Sequence, residues 1–66
     1  MTHQSAHIPD ALSGMRLDQA LAQLFPQYSR SRLKQWLVDG HILVDGQTLK
    51  PRAAVVGGEE VTLNAP

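Results

Sequence analysis

Residues 29–46 read SRSRLKQWLVDGHILVDG. Ser29 is a residue type that caps helices, because its side-chain oxygen can accept from an amide of the first turn. Behind it Leu33, Trp36 and Leu37 fall at i, i+3 and i+4, the spacing of one apolar stripe on an α-helix. Gly40 is suited to the left-handed residue that ends a helix. Ile42, Leu43 and Val44 then form a short apolar run, and Asp45-Gly46 after it is a strong two-residue hairpin signal. A helix that hands over directly to a strand and a tight turn predicts an α+β domain, with its helical stripe packed on a small, mostly antiparallel sheet.

Upstream, Leu17, Ala20, Leu21, Leu24 and Phe25 lie within one arc of a helical wheel, while Arg16, Gln19 and Gln23 take the other side. This predicts a first amphipathic helix, begun after Gly14 and stopped by Pro26. Gln27-Tyr28 connects it to the second helix. Residues 1–14 read as a flexible N-terminal segment, disordered over 1–6, with His7 and Ile8 forming a short edge strand that Pro9 ends. Downstream, residues 47–49 are expected to return antiparallel to 42–44 before Pro51 breaks the ladder. Residues 53–56 read as an extended connector, Gly57-Gly58 as a turn, and 59–63 as a last strand with Val61 and Leu63 facing inward. Residues 64–66 read as the start of a linker, so the domain itself spans 15–63.

Composition narrows the class. Sixty-six residues make one small domain, which buries about 60% of the surface its unfolded chain exposes and leaves little room for a deep catalytic cleft. A hydrophobic fraction of 42% supports a folded core. The chain has no cysteine, which excludes disulfides, thiolate metal sites and thiol nucleophiles. No leader pattern and no membrane-length apolar run is visible, so the expected location is cytoplasmic. The three histidines are scattered, and neither a metal site nor a cofactor is expected.

Formal net charge is zero, which speaks against a strongly electrostatic polyanion binder until the distribution is considered. Arg30, Arg32 and Lys34 are half of the six basic residues and occupy the opening of the second helix with no acid among them. A helix N-terminus carries partial positive charge and unpaired amides, so cations there are unfavourable unless an anion joins them. Arg30 and Lys34 lie one turn apart on the same face, while Arg32 points to the other flank of the stripe. Lys50 and Arg52 lie close to the hairpin and extend the basic set. Trp36 shares the stripe with Leu33 and Leu37 and is expected in the core rather than stacked on a base. Tyr28 is compatible with either role.

The succession Arg16-Leu17-Asp18, Ser29-Arg30-Ser31-Arg32, residues 40–46 as GHILVDG, Lys50-Pro51 and residues 57–61 as GGEEV resembles the small RNA-binding domain first named for a ribosomal small-subunit protein, the S4-like domain. The wording of RLDQAL and SRSRLKQWL looks most like the N-terminal domain of large-subunit ribosomal RNA pseudouridine synthases of the D type. The resemblance implies binding to structured RNA, large-subunit ribosomal RNA in particular, by a surface that carries over to Arg16, Arg30, Arg32 and Lys34. It also implies a tethered catalytic domain outside this chain and an isomerase as the parent protein. Such synthases carry their catalytic aspartate in an Arg-Leu-Asp triplet preceded by His and followed, after two residues, by Thr-Ser-Gly. Here Met15 precedes the triplet and Leu21-Ala22-Gln23 follows, so Asp18 reads as a first-turn acid and no catalytic residue is expected. Two other readings stand beside this one: an S4-like module of another ribosome-associated protein or RNA enzyme, and a protein-interaction domain that uses an exposed sheet edge.

Overall fold

The structure, a computed structural model, describes residues 2–66. Three strands, β1 (Thr2–His7), β2 (Ile42–Val44) and β3 (Glu60–Ala65), and two helices, α1 (Leu17–Leu24) and α2 (Arg30–Asp39), follow one another as β1-α1-α2-β2-β3. A 3-10 turn at Asp10–Leu12 lies between β1 and α1. The sheet is antiparallel with order β1-β3-β2, so the expected α+β fold of two helices on a small sheet is present.

Period-2 alternation places Val61, Leu63 and Ala65 of β3 on the face turned toward the helices, with Ile42 and Val44 of β2 in register beside Leu63 and Val61. All five are buried, as are Leu17, Ala20 and Leu21 of α1 and Leu33 and Leu37 of α2. Ile8, Phe25 and Val55 close the same cluster from the connecting segments. Burying a Leu-sized side chain is worth about 1.5–3 kcal/mol relative to leaving it exposed, so this one layer between helices and sheet supplies most of the driving force. The opposite face of the sheet presents the polar His3, Ser5, His7, Glu60, Thr62 and Asn64, with Leu43 of β2 beside Thr62, as the register dictates.

The structure departs from expectation at both ends of the chain. Residues 2–6 form most of β1 instead of a disordered lead, paired along β3 from Thr2↔Ala65 to His7↔Glu60. Residue 1 lies outside the described residues. Residues 64 and 65, read as linker, belong to β3, and Ala65 is buried. The cause is shared: the backbone ladder of β1 and β3 satisfies amides that neither sequence segment can advertise.

Two further differences concern the turns. Asp45 and Gly46 adopt φ of 52° and 78°, the hairpin geometry predicted, and Val44 and Gln47 exchange both backbone hydrogen bonds. The returning strand stops at that bridge, because β2 is paired on β3 and residues 48–50 peel away. Asp45 stabilises the arrangement, since its amide donates to Glu60 O and its Oδ1 accepts from Glu60 N at 2.9 Å. The first helix begins at Leu17, because Met15 and Arg16 are held extended against the 53–55 segment. Leu17 N donates to Ala53 O, and Val55 N to Met15 O.

Candidate functional site

The two helix N-termini are treated differently by the fold. At α1 the amides of Leu17 and Asp18 donate to Ala53 O and Pro51 O, and Gln19 N donates to Asp18 Oδ1 at 2.9 Å. That end is closed by protein. At α2 Ser29 is the predicted cap, its Oγ accepting from Arg32 N at 3.1 Å. Among the described residues, no protein acceptor meets the Arg30 and Ser31 amides, which face solvent at the positive end of the helix dipole.

A groove of about 310 Å³ opens beside this terminus, lined by Arg16, Asp18, Gln19, Arg30, Ser31 and Lys34. A second depression of about 200 Å³ continues from Arg16 and Lys34 to Lys50, Pro51 and Arg52. The fold therefore gathers five of the six candidate residues, Arg16, Arg30, Lys34, Lys50 and Arg52, into one exposed face. Three separate elements supply them: the entry to α1, the first turns of α2 and the segment after the β2 turn. Arg32 stands apart on the other flank of α2, as its helical position predicts.

One carboxylate lies within the basic face. Arg16 Nη2 and Asp18 Oδ2 are 3.0 Å apart, with side chains 55% and 21% exposed. This is the ion pair among the described residues, so the other four cations of the face meet no carboxylate within 4.0 Å. At physiological salt, charges closer together than about 8 Å still reinforce one another, and the cluster presents a local positive potential on a molecule of zero net charge.

Trp36 departs from its expected place in the core. It is half-buried on the shoulder of α2, because Leu33 and Leu37 take the inward face. Tyr28 packs edge-on against it, with ring centroids 4.9 Å apart and planes at 75°. Arg32 lies over the Trp36 ring, its guanidinium carbon 5.6 Å from the centroid. The i, i+4 spacing of Arg32 and Trp36 held a signal for this contact, whereas the participation of Tyr28 depends on how the connection between the helices folds. Among the described residues, no group of three or more His, Cys, Asp or Glu side chains is placed to hold a metal ion, and no helix is long and apolar enough to cross a membrane.

Comparison with known proteins agrees with this architecture. The S4 domain family matches residues 15–61. The chain is also similar to proteins named ribosomal large subunit pseudouridine synthase D. It is 56% identical to that of Vibrio parahaemolyticus over 59 residues, 88% of this chain and 18% of the relative. Against the Escherichia coli K12 protein the identity is 50% over 62 residues, 92% of this chain and 19% of the relative. Against that of Pseudomonas aeruginosa it is 49% over 65 residues, 98% and 20%. The chain thus spans about a fifth of the length of these relatives. With two helices on an antiparallel sheet and a family match over most of its length, the chain belongs to the S4 domain family.

Proposed function

We propose that the chain docks structured RNA, large-subunit ribosomal RNA in particular, through its phosphate backbone. The observation that carries this reading is the continuous basic face formed by Arg16, Arg30, Lys34, Lys50 and Arg52 beside the open amides of α2. Phosphate oxygens accept from backbone amides at a helix start and from Arg and Lys together, each strengthening the other. Beside these cations the groove offers Gln19 and Ser31 as its neutral polar side chains, and binding there responds chiefly to backbone placement and groove shape.

The similarity to pseudouridine synthases supports a targeting role for the module. In a longer protein it holds ribosomal RNA while a tethered catalytic domain isomerises uridine, raising the local concentration of substrate. Asp18 is occupied by Arg16 and by the Gln19 amide, which suits helix initiation rather than nucleophilic attack. Such a module works in the cytoplasm, alongside the ribosomal RNA that it docks.

The test is the salt dependence of binding. Three to five phosphate contacts, at about −0.7 to −0.9 each, predict that log affinity falls by about 2–4.5 units per tenfold rise in salt. Arg16→Gln, Arg30→Gln and Lys34→Gln combined should flatten that slope by about 2–3 and remove most of the affinity for a labelled RNA hairpin. An unchanged slope in the triple variant, with an unchanged circular-dichroism melt, would place the RNA surface elsewhere.

A further inference from the structure

On the flank of α2 away from the basic face, a groove of about 450 Å³ lies between the helix, His41 and Pro66. One wall is the stack already described, Arg32 on the Trp36 ring with Tyr28 bracing it from the side. A guanidinium spread on an aromatic ring is flat and weakly hydrated, and nucleobases stack on such surfaces. The charges indicate what this groove takes. Its charged side chains, Arg32 and Asp39, are opposite in sign, and Pro66 at its edge adds no cation, so the groove exerts no net pull on a phosphate. The groove of the basic face instead sets Arg16, Arg30 and Lys34 against a single Asp18. Gln35 Nε2 donates to Asp39 Oδ1 at 2.9 Å, which leaves the second carboxylate oxygen and the Gln35 carbonyl as acceptors next to the stack.

Ser31 lines both grooves. The open amides of α2 therefore sit on a ridge between a cationic side and a neutral, aromatic side. A strand whose phosphate rests on that ridge has its paired stem over the basic face and an adjoining base within reach of Arg32. We infer that this groove receives one unpaired nucleobase, so that the domain prefers RNA in which a stem meets a bulged or looped-out nucleotide. The inference rests on the RNA-docking reading and adds to it an uncharged contact that selects among structured RNAs.

The experiment compares the binding of two hairpins by the 66-residue chain, one fully paired and one carrying a single unpaired adenosine. Trp36 is the only tryptophan, so its emission reports on this groove alone. The bulged hairpin should bind roughly tenfold more tightly, as base stacking of ordinary strength provides, and should quench Trp36. Arg32→Lys keeps the charge but loses the plane. It should bring the two hairpins to within about twofold of each other while leaving the salt slope and the thermal melt unchanged. A bulge preference that persists in Arg32→Lys overturns the inference. Equal binding of both hairpins by the unaltered chain, with no change in Trp36 emission, overturns it while leaving phosphate docking intact. If neither hairpin binds, phosphate docking falls and the base pocket with it.

Discussion

Gly57→Ala is the substitution whose cost the structure specifies most fully. Gly57 sits at φ +96°, and an L side chain held at such an angle costs about 1–3 kcal/mol. Sterics add to that. A Cβ there would lie 2.8 Å from Asp10 Oδ1 and 2.9 Å from Asp10 Cα. The carboxylate oxygen can swing aside, but the Cα opens the 3-10 turn whose Ser13 N donates to Asp10 O. That turn is pinned in its turn by Ile8 N donating to Glu59 O and Gly58 N donating to Ile8 O. The clash is relieved only by shifting residues 8–12, and Ile8 is buried, so overpacking adds about 1–3 kcal/mol. The total of about 2–6 kcal/mol compares with a whole-domain stability of roughly 3–10 kcal/mol for a chain this long. At about 4–8 °C per kcal/mol, Tm should fall by at least about 8 °C. Gly58→Ala is the control, since Gly58 also has positive φ, +84°, but its added Cβ meets nothing within 4 Å. It should show the backbone cost alone. Thermal melts followed by circular dichroism separate the two, and equal Tm values for Gly57→Ala and Gly58→Ala would refute the close approach of residues 10 and 57. Asp10→Ala added to Gly57→Ala should restore little, because the Cα remains.

Leu37→Ala, which empties a buried position between α2 and the sheet, should cost about 2–5 kcal/mol and bring the domain close to unfolding at room temperature, as urea titration would show. Val38→Ala, one residue along but at a 66% exposed position, should stay within about 0.5 kcal/mol of the unaltered chain in the same titration. Asp18→Asn frees Arg16 from its ion pair, so RNA affinity should rise and the salt slope steepen by about 1. Loss of a first-turn acid should cost α1 about 0.3–1 kcal/mol in the corresponding melt.

What could be read in advance was what is local. Ser29, the stripe of Leu33 and Leu37, Gly40 and the Asp45-Gly46 turn each act within four residues of themselves, and each does in the fold what its chemistry predicts. β1 was hidden for the opposite reason. Among its residues, THQSAH, Ala6 is the single apolar side chain, and the strand exists because β3, far along the chain, offers it a ladder. The misassigned partner of β2 has the same origin, since the turn favours residues 47–49 locally while Val61 and Leu63 offer a buried face. At the site, charges announced themselves: Arg16, Arg30, Lys34, Lys50 and Arg52 were all candidates before their convergence was visible. The aromatic groove was not legible, because it requires Tyr28, Arg32, Trp36 and His41 to meet from three segments.

The place of β3 at the centre of the sheet governs how the molecule comes into being. Both other strands bond to β3 and not to each other, and β3 follows both of them and the two helices in sequence. During synthesis, no sheet can form until residues 60–65 emerge, and until then the leucines of both helices have no inner face to cover them. Pairing Thr2 with Ala65 also closes almost the whole chain into one loop, which is slow because its entropy is lost before its contacts are gained. The domain is thus built to assemble in a single late step, and its nascent form carries an exposed apolar surface that the finished form does not.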